Sequence, residues 1–101
     1  MLPSDLLIRD GWIRNNFETG HGRCLSGAIS RWAIDENCGE SDEHVRLHTE
    51  TSRLAAAPGG MTEWNDTICP DATTAIAVMR QAEINCGLRP VKVEEVELVT
   101  V

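Results

Sequence analysis

The chain has 101 residues, 42% hydrophobic and 25% charged, with a formal net charge of −7. That length holds one hydrophobic core rather than two, and the composition is that of a folding chain rather than a disordered one. The acidic balance disfavours nucleic-acid phosphates and anionic membranes as partners, because both are held by clustered Lys and Arg.

No apolar run approaches the ~18 residues of a membrane-spanning helix. No basic, then apolar, then small-residue leader opens the chain, so a cytoplasmic protein is expected. The four cysteines Cys24, Cys38, Cys69 and Cys86 are then expected to be reduced thiols.

A first helix is expected from Ser4, as N-cap, with Asp5 in the first turn. Leu6, Leu7, Ile8, Gly11 and Trp12 would form its buried side, and Asn15-Asn16 its end. Phe17 to Arg23, broken by Gly20 and Gly22, reads as a loop. Next comes the most consistently patterned stretch. Cys24, Leu25, Ala28, Ile29, Trp32 and Ala33 recur at i, i+1, i+4, i+5, i+8 and i+9, one stripe of a helix. This is the expected central helix. Its small residues Gly27 and Ala28 would let another helix approach, and it would stop by Asn37-Cys38-Gly39.

A third helix runs from Ser41 towards Ala57. Its shared face, His44, Leu47, His48, Thr51, Leu54 and Ala55, is weakly apolar, so it should be peripheral. Pro58-Gly59-Gly60 breaks it. Met61 to Asp66 is a short connection with room for one helical turn. Pro70 is expected to open the last helix, whose stripe is Ala72, Ala75, Ile76, Met79, Ala82 and Cys86. Gly87 would cap its end, with Leu88 as the hydrophobic contact that follows. The last stretch, residues 90–101, is β-prone. Val91 and Val93 alternate, as do Val96 and Leu98, with a slip of phase at Glu94-Glu95. The expected organisation is thus an all-α domain of about four helices over residues 1–89, followed by a short C-terminal strand or tail.

Trp64-Asn65-Asp66 is the candidate ligand motif. Its structural reading is favoured: an inward indole and two side chains that bond nearby backbone N–H groups. The functional alternative is a polar ligand or catalytic site at Asn65 and Asp66. Gly11-Trp12, then Gly22-Arg23-Cys24-Leu25-Ser26-Gly27-Ala28-Ile29, then Trp64-Asn65-Asp66 before an Ala-rich helix resembles an uncharacterised small domain family of actinobacteria and their bacteriophages. The resemblance covers roughly residues 6 to 86. It implies a compact helical domain of phage type and carries no activity. Members often have Gly-Arg-Ser/Thr shortly after the Trp-Asn-Asp motif, whereas this chain has Thr67-Ile68-Cys69-Pro70-Asp71.

Metal binding is a further alternative. His21, Cys24, Cys38, His44 and His48 lie close in sequence, and two His at i and i+4 share a helix face. Against zinc stand the lack of a Cys-x-x-Cys pair and the demand of the apolar stripe for Cys24. Nucleophilic catalysis has candidate residue types but no signature spacing, although Cys69 near a helix N-terminus would have a lowered thiol pKa.

The expected function is therefore non-enzymatic and cofactor-free: an acidic protein that binds another protein of host or phage. An acidic mimic of DNA is the remaining alternative. Val91, Val93, Val96 and Leu98 are the interface candidates, either pairing two copies as a homodimer or adding to another protein's sheet.

Overall fold

The computed structural model describes residues 1–36 and 42–90. Within them the chain is mostly helical, as expected. Five α-helices, a π-helical turn and one very small hairpin follow one another: α1 (Pro3–Asp10), β1 (Glu18–Thr19), β2 (Gly22–Arg23), α2 (Leu25–Asp35), α3 (Asp42–Ala55), α4 (Gly60–Glu63), the π-turn (Trp64–Ile68) and α5 (Ala72–Asn85).

The central stripe is realised. Leu25, Ala28 and Ile29 are fully buried and Cys24, Trp32 and Ala33 nearly so. With this stripe α2 packs on α1, α3 and α4. α1 and α3 in turn pack on α5, which contributes Ala75, Met79 and Ala82 to the core. α3 buries only Leu47, Thr51 and Ala55, one narrow face, and its Thr51 hydroxyl is satisfied within the helix by the Leu47 carbonyl at 2.7 Å. His48 is exposed, off that face.

The ends of the helices depart from expectation in instructive ways. Ser4 is not the N-cap of α1. Leu2 holds that position and Pro3 the first helical one, where its missing N–H costs nothing. The Asp5 carboxylate takes the Leu2 N–H at 3.2 Å. Ser4 points inward and is fully buried, and its partner is the last helix. Glu83, also fully buried, accepts the Ser4 N–H at 2.7 Å and the Ser4 hydroxyl at 2.6 Å. A carboxylate from α5 thus does the work of a cap for α1, in the favourable sense of the helix dipole. Arg89 neutralises it, donating to Glu83 at 3.1 Å and to both Asp5 oxygens at 3.0 Å.

α1 also ends earlier than its sequence suggests. It stops at Asp10, and Ile8 is exposed rather than buried. Gly11 has φ of +99° and Gly22 of +147°, and a Cβ on either would run into the backbone of the other's segment. Two backbone strands cross here without side chains, which is why both positions are glycine. At the other end of the fold, α5 opens at Ala72 rather than at Pro70, and Asp71 is its N-cap. Its carboxylate accepts the Thr74 N–H and hydroxyl, both at 2.8 Å. The C-terminus of α5 follows the sequence reading. Gly87 takes φ of +76°, its N–H bonds Ile84 and that of Leu88 bonds Glu83, and Leu88 packs on the core.

Candidate functional site

The three motifs of the sequence meet at one place. Beyond Gly11 the chain runs beside β2. Trp12 bridges to Arg23, whose N–H donates to the Gly11 carbonyl at 3.0 Å, while the Ile13 N–H donates to the Arg23 carbonyl at 3.1 Å. The Arg23 side chain ties this crossing to its surroundings, donating to Asp10 at 3.2 Å and pairing with Glu18. Asp10 is held down at about 2 by its hydrogen bond from Arg9 and, next, that from Arg23.

Into this crossing the connection before α5 inserts its Trp-Asn-Asp. The π-turn is set by the Cys69 N–H reaching back five residues to the Trp64 carbonyl at 2.8 Å. A wider turn of this kind shifts the side chains that follow it relative to an α-helix. Trp64 goes into the core, and Asn65 is fully buried.

The Asn65 amide is saturated by protein. Its oxygen accepts the Trp12 indole N–H at 2.7 Å and the Leu25 N–H at 3.0 Å. Its nitrogen donates to the Ile13 carbonyl at 3.0 Å and to Asp66 at 2.8 Å. The same Asp66 oxygen accepts the Asn15 N–H at 2.8 Å, which pins Asn15 in the left-handed region at φ of +64°. Asn65 therefore caps α2 from a distant segment and ties the chain after α1 to it. The sequence reading expected these side chains to cap the approach to α5; they hold the start of α2 instead.

Cys24 completes the α2 cap, its Sγ accepting the Gly27 N–H at 3.3 Å. Gly27 is needed there for a reason different from helix packing. A Cβ at this position would collide with the Phe17 carbonyl oxygen, so the residue makes room for a loop rather than for another helix. Arg14 closes the cluster, lying over the Trp12 ring at 4.7 Å and donating to the Cys69 and Pro70 carbonyls at 2.7 and 3.0 Å.

Chemically the cluster has little reach. Asn15, Asn16, Phe17, Cys24, Thr62 and Asp66 enclose about 140 Å³, below the several hundred usual for a small-molecule pocket. Burial pushes the Cys24 and Cys69 thiols up, against the activated thiol that a helix N-terminus would favour. Cys69 donates its S–H to the Asp71 carbonyl at 3.2 Å. Cys24, Cys69 and Cys86 are free, and Cys38 lies outside the described residues. His21 is exposed between β1 and β2, and His44 is half-buried on α3. Among the described residues no three His, Cys, Asp or Glu side chains gather to hold a metal ion.

Two larger hollows lie elsewhere. One, of about 490 Å³, has Trp32 and Leu88 in its lining and Asp5, Glu36 and Glu43 on its walls, with the Met1 amine paired to Glu36 at 3.3 Å. The other, of about 390 Å³, is a groove between α1 and α5. Ile8, Ile76, Ala77 and Ile84 give it an apolar lining, and Arg80 and Arg89 add charge. The residues of the groove do not overlap with those of the Trp-Asn-Asp cluster. The groove is not legible in the sequence, because the apolar pattern places Ile8 on the buried side of α1. Glu83 was also missed, although it stands four and eight residues after Met79 and Ala75, on the buried stripe. Val91, Val93, Val96 and Leu98 lie outside the described residues. No helix among the described residues is long and apolar enough to cross a membrane.

The chain belongs to a family of unknown function, DUF6197, which matches residues 4–85. The match runs from the Ser4 end of the Ser4–Glu83 tie to the last residue of α5 and takes in all three motifs. No curated protein and no solved structure matches the chain.

Proposed function

We propose that this family member is a non-enzymatic protein-binding module of phage type, acting in the host cytoplasm, and that it binds its partner through the α1/α5 groove. The observation that carries this reading is the groove itself. Ile8, on its α1 side, is 53% exposed, although Leu6 and Leu7 beside it are buried. Grooves of this kind between helices accept the apolar side of a peptide segment. In an acidic chain, Arg80 gives the groove a local positive charge that favours partners with a carboxylate near their apolar residues, Arg89 being paired with Asp5 and Glu83.

In this reading the Trp-Asn-Asp cluster is scaffold. Its amide has no donor or acceptor capacity left for a ligand, because each of its four bonding positions is used within the chain. The test is capture from host lysate with the tagged full chain and with the Ile76→Asp and Ala77→Arg variants. A partner retained by the unaltered chain and lost from both variants, with helical content unchanged, is the expected result. A partner retained by both variants refutes the groove as its site.

A further inference from the structure

The groove has a candidate occupant in the chain itself. We infer that residues 91–101 of the same chain bind in the α1/α5 groove and compete there with the partner; this rests on the reading of the groove as a protein-binding surface.

Three observations support it. The first is position. The left-handed turn at Gly87 ends α5 and returns the chain to α1, where Arg89 bonds Asp5 and Ser4. Arg89 is itself part of the groove wall, and Pro90 follows it directly. The described chain therefore ends at the mouth of the groove.

The second is length. On α5 the groove runs from Thr73 to Ile84, a rise of about 17 Å at ~1.5 Å per residue. Five or six extended residues at ~3.3 Å each cover that distance. The segment from Val91 to Val101 is long enough with several residues to spare.

The third is chemistry. The segment reads Val-Lys-Val-Glu-Glu-Val-Glu-Leu-Val-Thr-Val, apolar and acidic together. The groove offers isoleucines beside arginine. Arg89 is already committed to Asp5 and Glu83. The Arg80 Nε–H, by contrast, is buried and donates no hydrogen bond among the described residues. A buried guanidinium nitrogen without an acceptor is costly, and a carboxylate in the groove would supply one. Glu94, Glu95 and Glu97 provide three candidates from the segment. Because the segment is tethered at the groove, its effective concentration there is on the order of millimolar, so weak contacts suffice to occupy it.

The experiment uses the isotopically labelled full chain, unaltered and with Glu94, Glu95 and Glu97 all changed to Lys. A synthetic peptide of residues 91–101 is the probe, and the amide signals of Ile8, Ile76 and Ile84 are the readout. The lysine variant, unable to cover its own groove, is expected to bind the peptide at least tenfold tighter than the unaltered chain. Adding Arg80→Glu to the lysine variant should weaken that binding at least tenfold. Equal affinity of the two chains, no binding to either, or shifts away from the groove overturns the inference. Capture by the groove variants is read separately, so the partner reading can survive such a result. Sedimentation across a concentration series should show a monomer. A dimer dissolved by the three Lys changes would place the segment in a second copy and also overturn the same-chain inference.

Discussion

Replacing Asn65 by Ala tests whether the Trp-Asn-Asp motif is scaffold. The Leu25 N–H belongs to the first turn of α2, where the helix itself offers no acceptor. Asn65 supplies the acceptor at 3.0 Å, and both residues are fully buried. Removing it leaves a buried donor unpaired, a cost of about 1–3 kcal/mol. The Trp12 indole and the Ile13 carbonyl lose partners too, but both residues are half-buried, so water recovers part of what they lose. The sum is a loss of about 2–4 kcal/mol, larger than that of an ordinary cap. A urea melt followed by tryptophan emission measures it, with a midpoint lowered by about 1–3 M. Trp12→Phe removes the same indole bond from the other side, so the double variant should lose less than the two singles added together. A loss below about 0.5 kcal/mol, or strict additivity, refutes the proposed role of Asn65.

Gly27→Ala should destabilise by about 1–3 kcal/mol in the same melt, because its methyl meets the Phe17 backbone oxygen, whereas Gly20→Ala, with open space around it, should be neutral. Glu83→Gln should cost about 1–3 kcal/mol by thermal unfolding, since an amide nitrogen cannot accept what the second carboxylate oxygen accepts from Ser4 or Arg89. Acid titration of stability should reveal Glu50 and Asp10. Both are held at about 2 in the fold, Glu50 by hydrogen bonds from Arg53 and then Asn85, Asp10 by those from Arg9 and then Arg23. Unfolded carboxyls titrate near ~4. The stabilisation from these depressed pKa values is present above that point and disappears as pH falls towards 2. Glu50→Gln should flatten the acid limb of the stability curve, and an unchanged limb would count against the Arg53 and Asn85 contacts.

Periodicity identified what periodicity governs. The α2 stripe, Leu47, Thr51 and Ala55 of α3, Ala75, Met79 and Ala82 of α5 and the Gly87 cap depend on contacts within one helix or on one buried face, and their spacing shows directly in the residues, whereas His48 and Ala72, expected on the same faces, are exposed. The ends of α1 depend on distant partners. Ser4 is a plausible cap by its neighbours alone, and only the arrival of Glu83 turns it inward. Gly11 looked like part of a helix face, yet its role comes from the backbone of Gly22 lying against it. The Trp-Asn-Asp motif was legible as structural but not as to what it holds, because both α2 and the Trp12 loop are remote in sequence. The hydrophobicity of Ile8 points to the core, but three consecutive helical residues cannot all face one side, and Leu6 and Leu7 take the buried one.

The Ser4–Glu83 tie has a bearing on how the protein is made. During synthesis α1 leaves the ribosome with its first turn uncapped, and the acceptor for the Ser4 N–H and hydroxyl is 79 residues behind it. At an elongation rate of roughly 5–20 residues per second, that is a wait of about 4–16 s. Until α5 follows, α1 has neither its cap nor one of the helices it packs on. α2 waits in the same way for Asn65, 40 residues after Leu25, so the bundle closes only once α5 has been made.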